Sequence, residues 1–268
     1  MFRESVVAIT GGAGGIGSAL AHRFGEAGAR IALLDRDREA LDNAANALAG
    51  EGLNVLPLVC DVTAAEDVSR AVAAVHDGFG RLDVLVHGAG LTHVSPFVET
   101  DLAVYRRVME VNFFGAVACT RTALPMLLES RGQVIVLSSV AGFAPLLART
   151  GYCAAKHALH GFFETLRGEL RPRGVHVMIV CPSFVETDFA RAGLAGDGSR
   201  LAFDRSTTGS PLTPDAVAQA IFRAAGKRRR LLVLSPTAKL AYWVSRLLPG
   251  LYERGMGRRF RVELERDP

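Results

Sequence analysis

Short apolar runs alternate along the chain with longer segments of helical periodicity. The runs are nearly continuous in Val, Ile and Leu, as is typical of strands buried on both faces. Seven runs are predicted as strands: SVVAIT, RIALLD, NVLPLV, LDVLVHG, GQVIVLSS, VHVMIVCP and RLLVLS. The helices predicted between them cover residues 16–27, 37–49, 64–79, 101–129, 151–170 and 214–225. This alternation predicts an α/β fold, a doubly wound, mainly parallel seven-stranded sheet with helices on both faces.

The 268 residues suffice for one domain with a large core, and a hydrophobic content of 49% excludes a disordered chain. We predict a single domain over residues 1–236. Inside it, the polar, glycine-rich segment 188–212 is predicted as a substrate loop, since long loops in compact domains usually serve function. Residues 237–268 are predicted as a basic amphipathic extension, packed on this domain, on a partner or on a membrane surface.

Four cysteines, Cys60, Cys119, Cys153 and Cys181, are scattered without a CxxC pair or metal-ligand spacing. We therefore expect reduced thiols and no metal site. The chain lacks an uninterrupted apolar run of about 18 residues and starts without a secretory signal pattern, which favours a cytoplasmic location. The net charge of +4 is too small to indicate nucleic acid as a partner.

The segment TGGAGGIG, residues 10–17, follows the first predicted strand and opens the first predicted helix. In Rossmann-type sheets this turn binds a dinucleotide pyrophosphate, because glycines let the backbone approach the phosphates and the helix presents free N–H groups. Asp35 ends the second strand, where a carboxylate accepts hydrogen bonds from the adenosine ribose, which favours NAD. A 2′-phosphate there would cost on the order of 4 kcal/mol, although Arg36 could offset much of this and permit NADP.

Tyr152 and Lys156 are four residues apart and therefore share one face of a predicted helix. A phenol that exchanges protons with an alcohol needs its pKa lowered from about 10 toward neutrality, which takes roughly 4 kcal/mol. An ammonium about 4 Å away supplies stabilisation of that order. Ordinary packing would explain the same spacing, so the neighbouring motifs decide between the two interpretations.

From residue 6 to about residue 235 the chain resembles the short-chain dehydrogenase/reductase family. The motifs that carry the resemblance are TGGAGGIG, Asp61, HGAG at 87–90, Asn112, Ser139, YCAAK at 152–156 and CPSFVET at 181–187. The resemblance implies that Tyr152 donates or accepts the proton, and that Lys156 lowers its pKa and holds the ribose. It also implies that Ser139 orients the substrate oxygen and that Asn112 holds a water linking Lys156 to solvent.

The resemblance further implies a nicotinamide dinucleotide site. Its predicted contacts are Thr10, Gly11, Gly15, Ile16, Gly17, Asp35, Arg36, Asp61, Val62, Gly88, Ala89, Gly90, Tyr152, Lys156, Pro182, Val185 and Thr187. The chain departs from the family in having HGAG where NNAG is usual and PS where PG is usual. We expect His87 to be a structural hydrogen-bonding residue at a strand end.

Largely apolar segments flank the predicted reacting residues. The predicted substrate contacts are Leu91, His93, Phe143, Leu146 and Phe184. They indicate a hydrophobic alcohol or ketone, such as a steroid, a retinoid or a long acyl chain. These residues could equally pack the core or a subunit contact, and a surface-loop position is expected for His93.

We therefore predict an NAD(P)-dependent oxidoreductase that interconverts a secondary alcohol and a ketone. A dinucleotide-binding sensor without turnover is the alternative, and the intact set of four reacting residues argues against it. The family resemblance implies a homodimer or homotetramer.

The segment TAKLAYWVSRLLPGLYERGMGRRF, residues 237–260, mixes large apolar side chains with basic ones. It could lie on a membrane surface with its basic residues facing anionic headgroups. It could also cap the substrate cleft or become buried in a dimer. The predicted location is therefore cytoplasmic, with peripheral membrane contact as one option.

Overall fold

The structure is a computed structural model that describes residues 2–189, 192–202 and 210–264. Within these residues, seven strands form one parallel sheet in the order β3-β2-β1-β4-β5-β6-β7. The strands are β1 (Val6–Thr10), β2 (Arg30–Asp35), β3 (Val55–Val59), β4 (Val84–His87), β5 (Gln133–Leu137), β6 (His176–Cys181) and β7 (Leu231–Val233). The predicted doubly wound fold is confirmed.

Helices cover both faces of the sheet. They are α1 (Gly15–Glu26), α2 (Arg38–Gly50), α3 (Ala65–Phe79), α4 (Leu102–Met109), α5 (Gly115–Glu129), α6 (Thr150–Leu170), α7 (Pro214–Gly226), α8 (Pro236–Leu247) and α9 (Pro249–Leu264). Alternate strand residues face opposite sides, so Val7 and Ile9 pack with α1, α2 and α7, whereas Val6 and Ala8 pack with α3, α5 and α6. Two buried layers therefore hold the sheet.

The strand order reverses between β1 and β4, which lie side by side with Thr10 opposite His87. The loops leaving these two strands run to opposite sides of the sheet and open a crevice at its carboxyl edge. Ligands of doubly wound folds bind at this switch point. The crevice is where the predicted cofactor and catalytic residues should meet.

The helix predicted over 101–129 is divided by a wider π turn, Glu110–Phe114, between α4 and α5. The Nδ2 atom of the buried Asn112 donates hydrogen bonds to the carbonyls of Val108 (2.8 Å) and Leu91 (2.7 Å). These bonds tie the turn to the loop after β4. Wider turns of this kind often mark functional sites.

By length and composition alone, the stretch Leu102–Glu129 could cross a membrane, and no other helix of the described residues passes this test. However, Cys119, Ala123 and Leu127 on its α5 portion are buried in the core against the sheet. The α5 portion of this stretch therefore packs on the sheet.

The helices after β7 fold back on the domain. The ring of Tyr242 on α8 packs edge-on against Phe143, 5.0 Å between centres, and Phe260 on α9 is buried. Arg149 lies over the Phe260 ring at 5.6 Å. The predicted boundary near residue 236 stays a prediction, but the extension packs on the sheet domain.

Of the predicted substrate loop 188–212, residues 190–191 and 203–209 lie outside the described residues. In the described part, Leu194 forms a short bridge with His93 and packs among Leu91, Val104 and Val108. This part of the loop therefore covers the segment that follows β4.

Candidate active site

A cavity of about 1050 Å³ extends from the glycine-rich turn, across the carboxyl ends of the strands, to α8 and α9. It is bordered by most of the residues predicted to bind a cofactor: Gly11, Gly15, Ile16, Gly17, Asp35, Arg36, Asp61, Val62, Gly88, Ala89, Gly90, Tyr152, Lys156, Pro182, Val185 and Thr187. Ser139 and three of the predicted substrate contacts, Leu91, Leu146 and Phe184, border the same cavity. One crevice thus joins the predicted cofactor, catalytic and substrate regions.

The glycine-rich turn is shaped so that side chains would obstruct it. Gly11 has a φ of +68°, and a Cβ there would lie 2.7 Å from the backbone nitrogen of Ala89. A Cβ at Gly17 would overlap the carbonyl oxygen of Gly11. The N-cap of α1 is Gly14, which has no side chain to occupy the first N–H groups of the helix. These features fit a dinucleotide pyrophosphate at the helix N-terminus.

The carboxylate of Asp35 closes the turn at the end of β2. Its two oxygens accept hydrogen bonds from the backbone N–H groups of Ala13 and Asp37, each at 3.2 Å. Arg36, beside it, is exposed and borders the cavity. A charged acceptor and a cation therefore stand together where an adenosine ribose would lie.

Thr10 supports the crevice from behind rather than bordering it. Its Oγ1 atom accepts hydrogen bonds from the backbone N–H groups of Gly88 (3.2 Å) and Ala89 (3.3 Å). The prediction of direct cofactor contact is therefore corrected, because the Thr10 hydroxyl is occupied in joining the ends of β1 and β4.

Tyr152 and Lys156 lie one turn apart on α6 and are both buried, with exposures of 8% and 4%. The Nζ atom of Lys156 lies 5.6 Å from the centre of the Tyr152 ring and donates a 2.8 Å hydrogen bond to the Leu137 carbonyl. Burial lowers the pKa of Lys156 to about 8. The ammonium form still predominates at neutral pH, so a cation faces the phenol side of the cavity.

Ser139 follows β5 in extended backbone geometry and is half-buried. Its Oγ atom accepts a 3.2 Å hydrogen bond from the Ala141 N–H, which fixes the hydroxyl at the start of a short 3-10 turn. The hydroxyl of the neighbouring Ser138 instead donates to the Lys156 carbonyl at 3.4 Å. The two hydroxyls therefore have different partners, although both serines border the cavity.

Asn112 does not border the cavity, and its side chain positions the loop that does. Besides its two donated bonds, its Oδ1 atom accepts a 3.3 Å hydrogen bond from the Leu91 N–H. A Cβ at Gly90 would lie 3.0 Å from this oxygen and 3.8 Å from Lys156 Nζ. Asn112 and Lys156 thus approach Gly90 together, while the predicted water-holding role stays a prediction.

His93 is wrongly predicted, both as a surface residue and as a substrate contact. It is fully buried and packs edge-on against Tyr105, 5.7 Å between ring centres, and it is not among the described residues that border the cavity. Burial, and secondarily the nearby Arg149 cation, lowers the pKa of His93 to about 4. The histidine is therefore a neutral core residue.

Phe143 is also wrongly predicted as a substrate contact. The 3-10 turn Val140–Gly142 directs its ring toward α8, where it packs against Tyr242 and lies 5.6 Å from the Arg246 guanidinium. It is not among the described residues that border the cavity. Its apolar ring therefore anchors α8.

His87 has the structural role predicted for it. Its Nε2 atom lies 2.7 Å from the Thr120 hydroxyl, linking the end of β4 to α5. Complete burial lowers the pKa of His87 to about 3, so the imidazole is neutral. His87, which stands where the family usually has asparagine, therefore still joins the end of β4 to α5 by a hydrogen bond.

The predictions from sequence omitted several residues that border the cavity. They include Arg149, Phe189, Val244, Tyr252, Met256 and Phe260. Four of these belong to α8 and α9, and the mixture of apolar and basic residues in that segment was the available signal. No sequence motif marks Arg149, whose position depends on the fold of the loop before α6.

The comparisons with known proteins agree with this geometry. A family model described as short chain dehydrogenase matches residues 5–196. Dehydrogenase/reductase SDR family member 7B of Bos taurus is 35% identical, over 97% of this chain and 83% of the relative. Dehydrogenase/reductase SDR family protein 7-like of Drosophila melanogaster is 32% identical, over 97% of this chain and 81% of the relative.

Solved structures with the same fold have been described with either nicotinamide dinucleotide. A short chain dehydrogenase/reductase from Burkholderia phymatum in complex with NAD superposes with a TM-score of 0.84 at 25% identity, covering 93% of this chain and 95% of that one. An actinorhodin polyketide ketoreductase with NADPH has a TM-score of 0.79 at 27% identity, covering 89% and 98%. With the family model and the relatives, these likenesses show that the chain belongs to the short-chain dehydrogenase/reductase family and is a nucleotide-binding oxidoreductase.

Proposed function

We propose that this oxidoreductase interconverts a hydrophobic secondary alcohol and the corresponding ketone. The observation that carries the proposal is that Tyr152, with the Lys156 ammonium 5.6 Å from its ring, borders the same cavity as the glycine-rich turn. A proton-transferring group and a dinucleotide cradle are the two parts that such a reaction needs.

Tyr152 donates its phenolic proton to the carbonyl oxygen in the reduction and accepts the hydroxyl proton in the oxidation. Lys156 stabilises the phenolate form of Tyr152 by its positive charge. The glycine-rich turn and Asp35 would hold a nicotinamide dinucleotide, which would supply the hydride for the reduction or take it up in the oxidation. Ser139 orients the reacting oxygen through its hydroxyl, and Asn112 holds the loop around Gly90 beside Lys156.

NAD is the proposed cofactor. The Asp35 carboxylate at the end of β2 supports this choice, because it accepts hydrogen bonds from ribose hydroxyls and repels a 2′-phosphate. The neighbouring Arg36 is the group through which NADP would bind. A higher kcat/KM with NADP than with NAD in the wild-type protein would contradict the proposed preference.

The proposed substrate is apolar and large, such as a steroid, a retinoid or an acyl-chain alcohol or ketone. Support comes from the part of the cavity beyond Tyr152, which is bordered by Leu91, Leu146, Phe184 and Phe189. On the far side it is bordered by Val244 and Met256. Predominantly apolar walls favour hydrophobic ligands, and the charged residues Arg149, Arg200 and Arg259 border the same cavity.

We further propose a cytoplasmic protein that assembles as a homodimer or homotetramer. The cysteines Cys60, Cys119, Cys153 and Cys181 are free thiols among the described residues, which supports a reducing compartment. Phe114, half exposed at the junction of the π turn and α5, supports a subunit contact through these helices. Sedimentation velocity of the purified protein tests the assembly.

The test of function is a screen of steroids, retinols and acyl-chain secondary alcohols and ketones with both cofactors, followed by Tyr152→Phe. We expect this variant to lose at least about a hundredfold in kcat while NADH binding, followed by fluorescence, changes little. Tyr105→Phe removes a phenol outside the cavity and serves as the matched control. A loss of less than tenfold in Tyr152→Phe, or NADH binding without turnover of any substrate, would contradict the proposal.

A further inference from the structure

One side of α8 exposes large apolar side chains. Leu240, Trp243 and Leu247 are spaced three and four residues apart, so they lie on one face, and they are 65%, 60% and 69% exposed. Leu248 and Leu251 continue this surface through the turn into α9, with exposures of 56% and 59%. We call these five residues the apolar stripe. Contiguous exposed apolar surface marks an interaction site.

The apolar stripe is not the face with which α8 and α9 pack on the domain. That face uses Ala238, which is buried, Tyr242, which packs on Phe143, and Phe260, which is buried in α9. Both helices therefore have their core contacts, and the stripe is additional apolar surface that these contacts leave exposed.

Basic side chains accompany the stripe. Between residues 236 and 260 the sequence contains five basic residues and one acidic residue, Glu253. Lys239 is exposed beside Leu240, and Arg254 and Arg258 are exposed one turn apart on α9. Apolar side chains next to a positive charge excess complement the acyl chains and anionic headgroups of a phospholipid surface.

The stripe also meets the mouth of the cavity. Leu240 and Leu251 are exposed and also border the cavity, as do Val244, Tyr252 and Met256 of the same two helices. The stripe and the lining of the cavity that holds Tyr152 therefore share Leu240 and Leu251.

We propose that the apolar stripe docks on an anionic phospholipid bilayer and that hydrophobic substrate passes between the bilayer and the cavity at Leu240 and Leu251. The docking is peripheral, because α8 has 12 residues and a membrane-spanning helix needs about 20. The passage of substrate rests on the proposed function, whereas the docking does not.

The chain has one tryptophan, Trp243, and it lies in the stripe, so intrinsic fluorescence reports the docking without a label. The full chain is mixed with phosphatidylcholine vesicles that contain or lack phosphatidylglycerol. We expect a blue shift of the emission and protection from acrylamide with the anionic vesicles, weakened by added salt. Unchanged emission and no co-sedimentation with either vesicle would overturn the proposal.

Variants separate the apolar and the electrostatic parts of the docking. Trp243→Ser with Leu247→Ser should weaken co-sedimentation by at least about tenfold. Arg254→Gln with Arg258→Gln should weaken it by about fivefold per residue on anionic vesicles only. The matched control substitutes Val98→Ser with Leu102→Ser, two exposed apolar residues outside the stripe, and should bind as the wild type does.

A second copy of this chain is the competing occupant of the stripe. If Trp243→Ser with Leu247→Ser dissociates an oligomer in sedimentation velocity and leaves vesicle binding unchanged, the stripe is a subunit contact and the proposal is wrong. Vesicle binding that is lost while the oligomeric state is retained supports docking.

Activity assays separate this inference from the proposed function. Tyr152→Phe should abolish turnover and keep vesicle binding. Trp243→Ser with Leu247→Ser should keep the kcat for a water-soluble ketone and raise the apparent KM severalfold only for substrate carried in vesicles. An unchanged KM for vesicle-borne substrate, with docking lost, would overturn the passage step alone.

Discussion

The Lys156 ammonium lies 5.6 Å from the centre of the Tyr152 ring, and both side chains are buried on one turn of α6. The same burial that places the Lys156 ammonium beside the phenol also destabilises its charged form. It lowers the pKa of Lys156 from 10.5 to about 8. A charge that serves the reaction therefore opposes folding.

This opposition predicts that Lys156→Met is inactive and more stable. Below pH 8 Lys156 is charged in both the folded and the unfolded chain. The cost of burying this charge then lowers the free energy of unfolding in full, by an amount on the order of 3 kcal/mol. The penalty disappears as the pH rises from about 8 to 10.5. Losing the hydrogen bond to Leu137 offsets part of the gain.

Urea unfolding at neutral pH and at high pH measures the effect. We expect Lys156→Met to unfold at higher urea than the wild type at pH 7, with the difference shrinking toward pH 10.5. Lys227→Met, at an exposed lysine after α7, should show neither change. Equal stability of Lys156→Met and the wild type at all pH values would contradict the argument.

Acid should destabilise the protein through its buried histidines. Burial lowers the pKa of His87 from 6.5 to about 3, so the unfolded chain takes up a proton before the folded one does. The contribution of neutral His87 to the free energy of unfolding is fully present above pH 6.5. It is lost as the pH falls toward 3, and the loss reaches about 5 kcal/mol. His93, with its pKa lowered to about 4, adds to the same slope.

His87→Asn should therefore flatten, but not abolish, the fall in stability between pH 6.5 and pH 4, measured by denaturant unfolding. His76→Asn is the control, because His76 is exposed on α3. If the free energy of unfolding falls equally steeply with pH in His87→Asn and in the wild type, another group causes the acid sensitivity.

Asp35→Asn should shift the cofactor preference toward NADP. The amide oxygen can still accept one of the hydrogen bonds from Ala13 and Asp37, while the charge that repels a 2′-phosphate is removed. We expect the ratio of kcat/KM for NADP to that for NAD to rise at least about tenfold. Glu39→Gln, an exposed charge change on α2, should leave the ratio unchanged.

Gly17→Ala should abolish dinucleotide binding, because the added Cβ would overlap the Gly11 carbonyl and force the turn open. The matched control is Gly50→Ala at the end of α2, where an added Cβ meets nothing within 4 Å. We expect the control to bind NADH normally and to be stabilised by about 0.5–1 kcal/mol. NADH titration and thermal unfolding of both variants check this, and normal binding by Gly17→Ala would refute it.

The fold was predictable from sequence because its determinants are local. Continuous apolar runs mark the strands, and the glycine turn between β1 and α1 needs no distant contact to be recognised. His93 and Phe143 were misplaced because the direction of a loop side chain depends on what packs against it. Tyr105 packs on His93. Tyr242, which lies 99 residues after Phe143 in the sequence, packs on the Phe143 ring outside the cavity.

The π turn around Asn112 was also beyond prediction. The periodicity of residues 101–129 fits one continuous helix, and the extra residue in the turn is stabilised by bonds to Leu91 on another segment. Likewise the amphipathic pattern of the last helices fits a lid, a dimer contact or a membrane surface alike. The structure relates that pattern to the site, because residues of both helices, Leu240 and Leu251 among them, border the cavity.

The cavity is bordered by the earliest turn of the chain, at Gly11, and by its latest described helix, at Phe260. During synthesis the sheet can form while α8 and α9 are still within the ribosome, which leaves an apolar crevice open to water and to chaperones. Because α8 and α9 follow β7 in the chain, this side of the cavity closes only after the strands of the sheet have been synthesised.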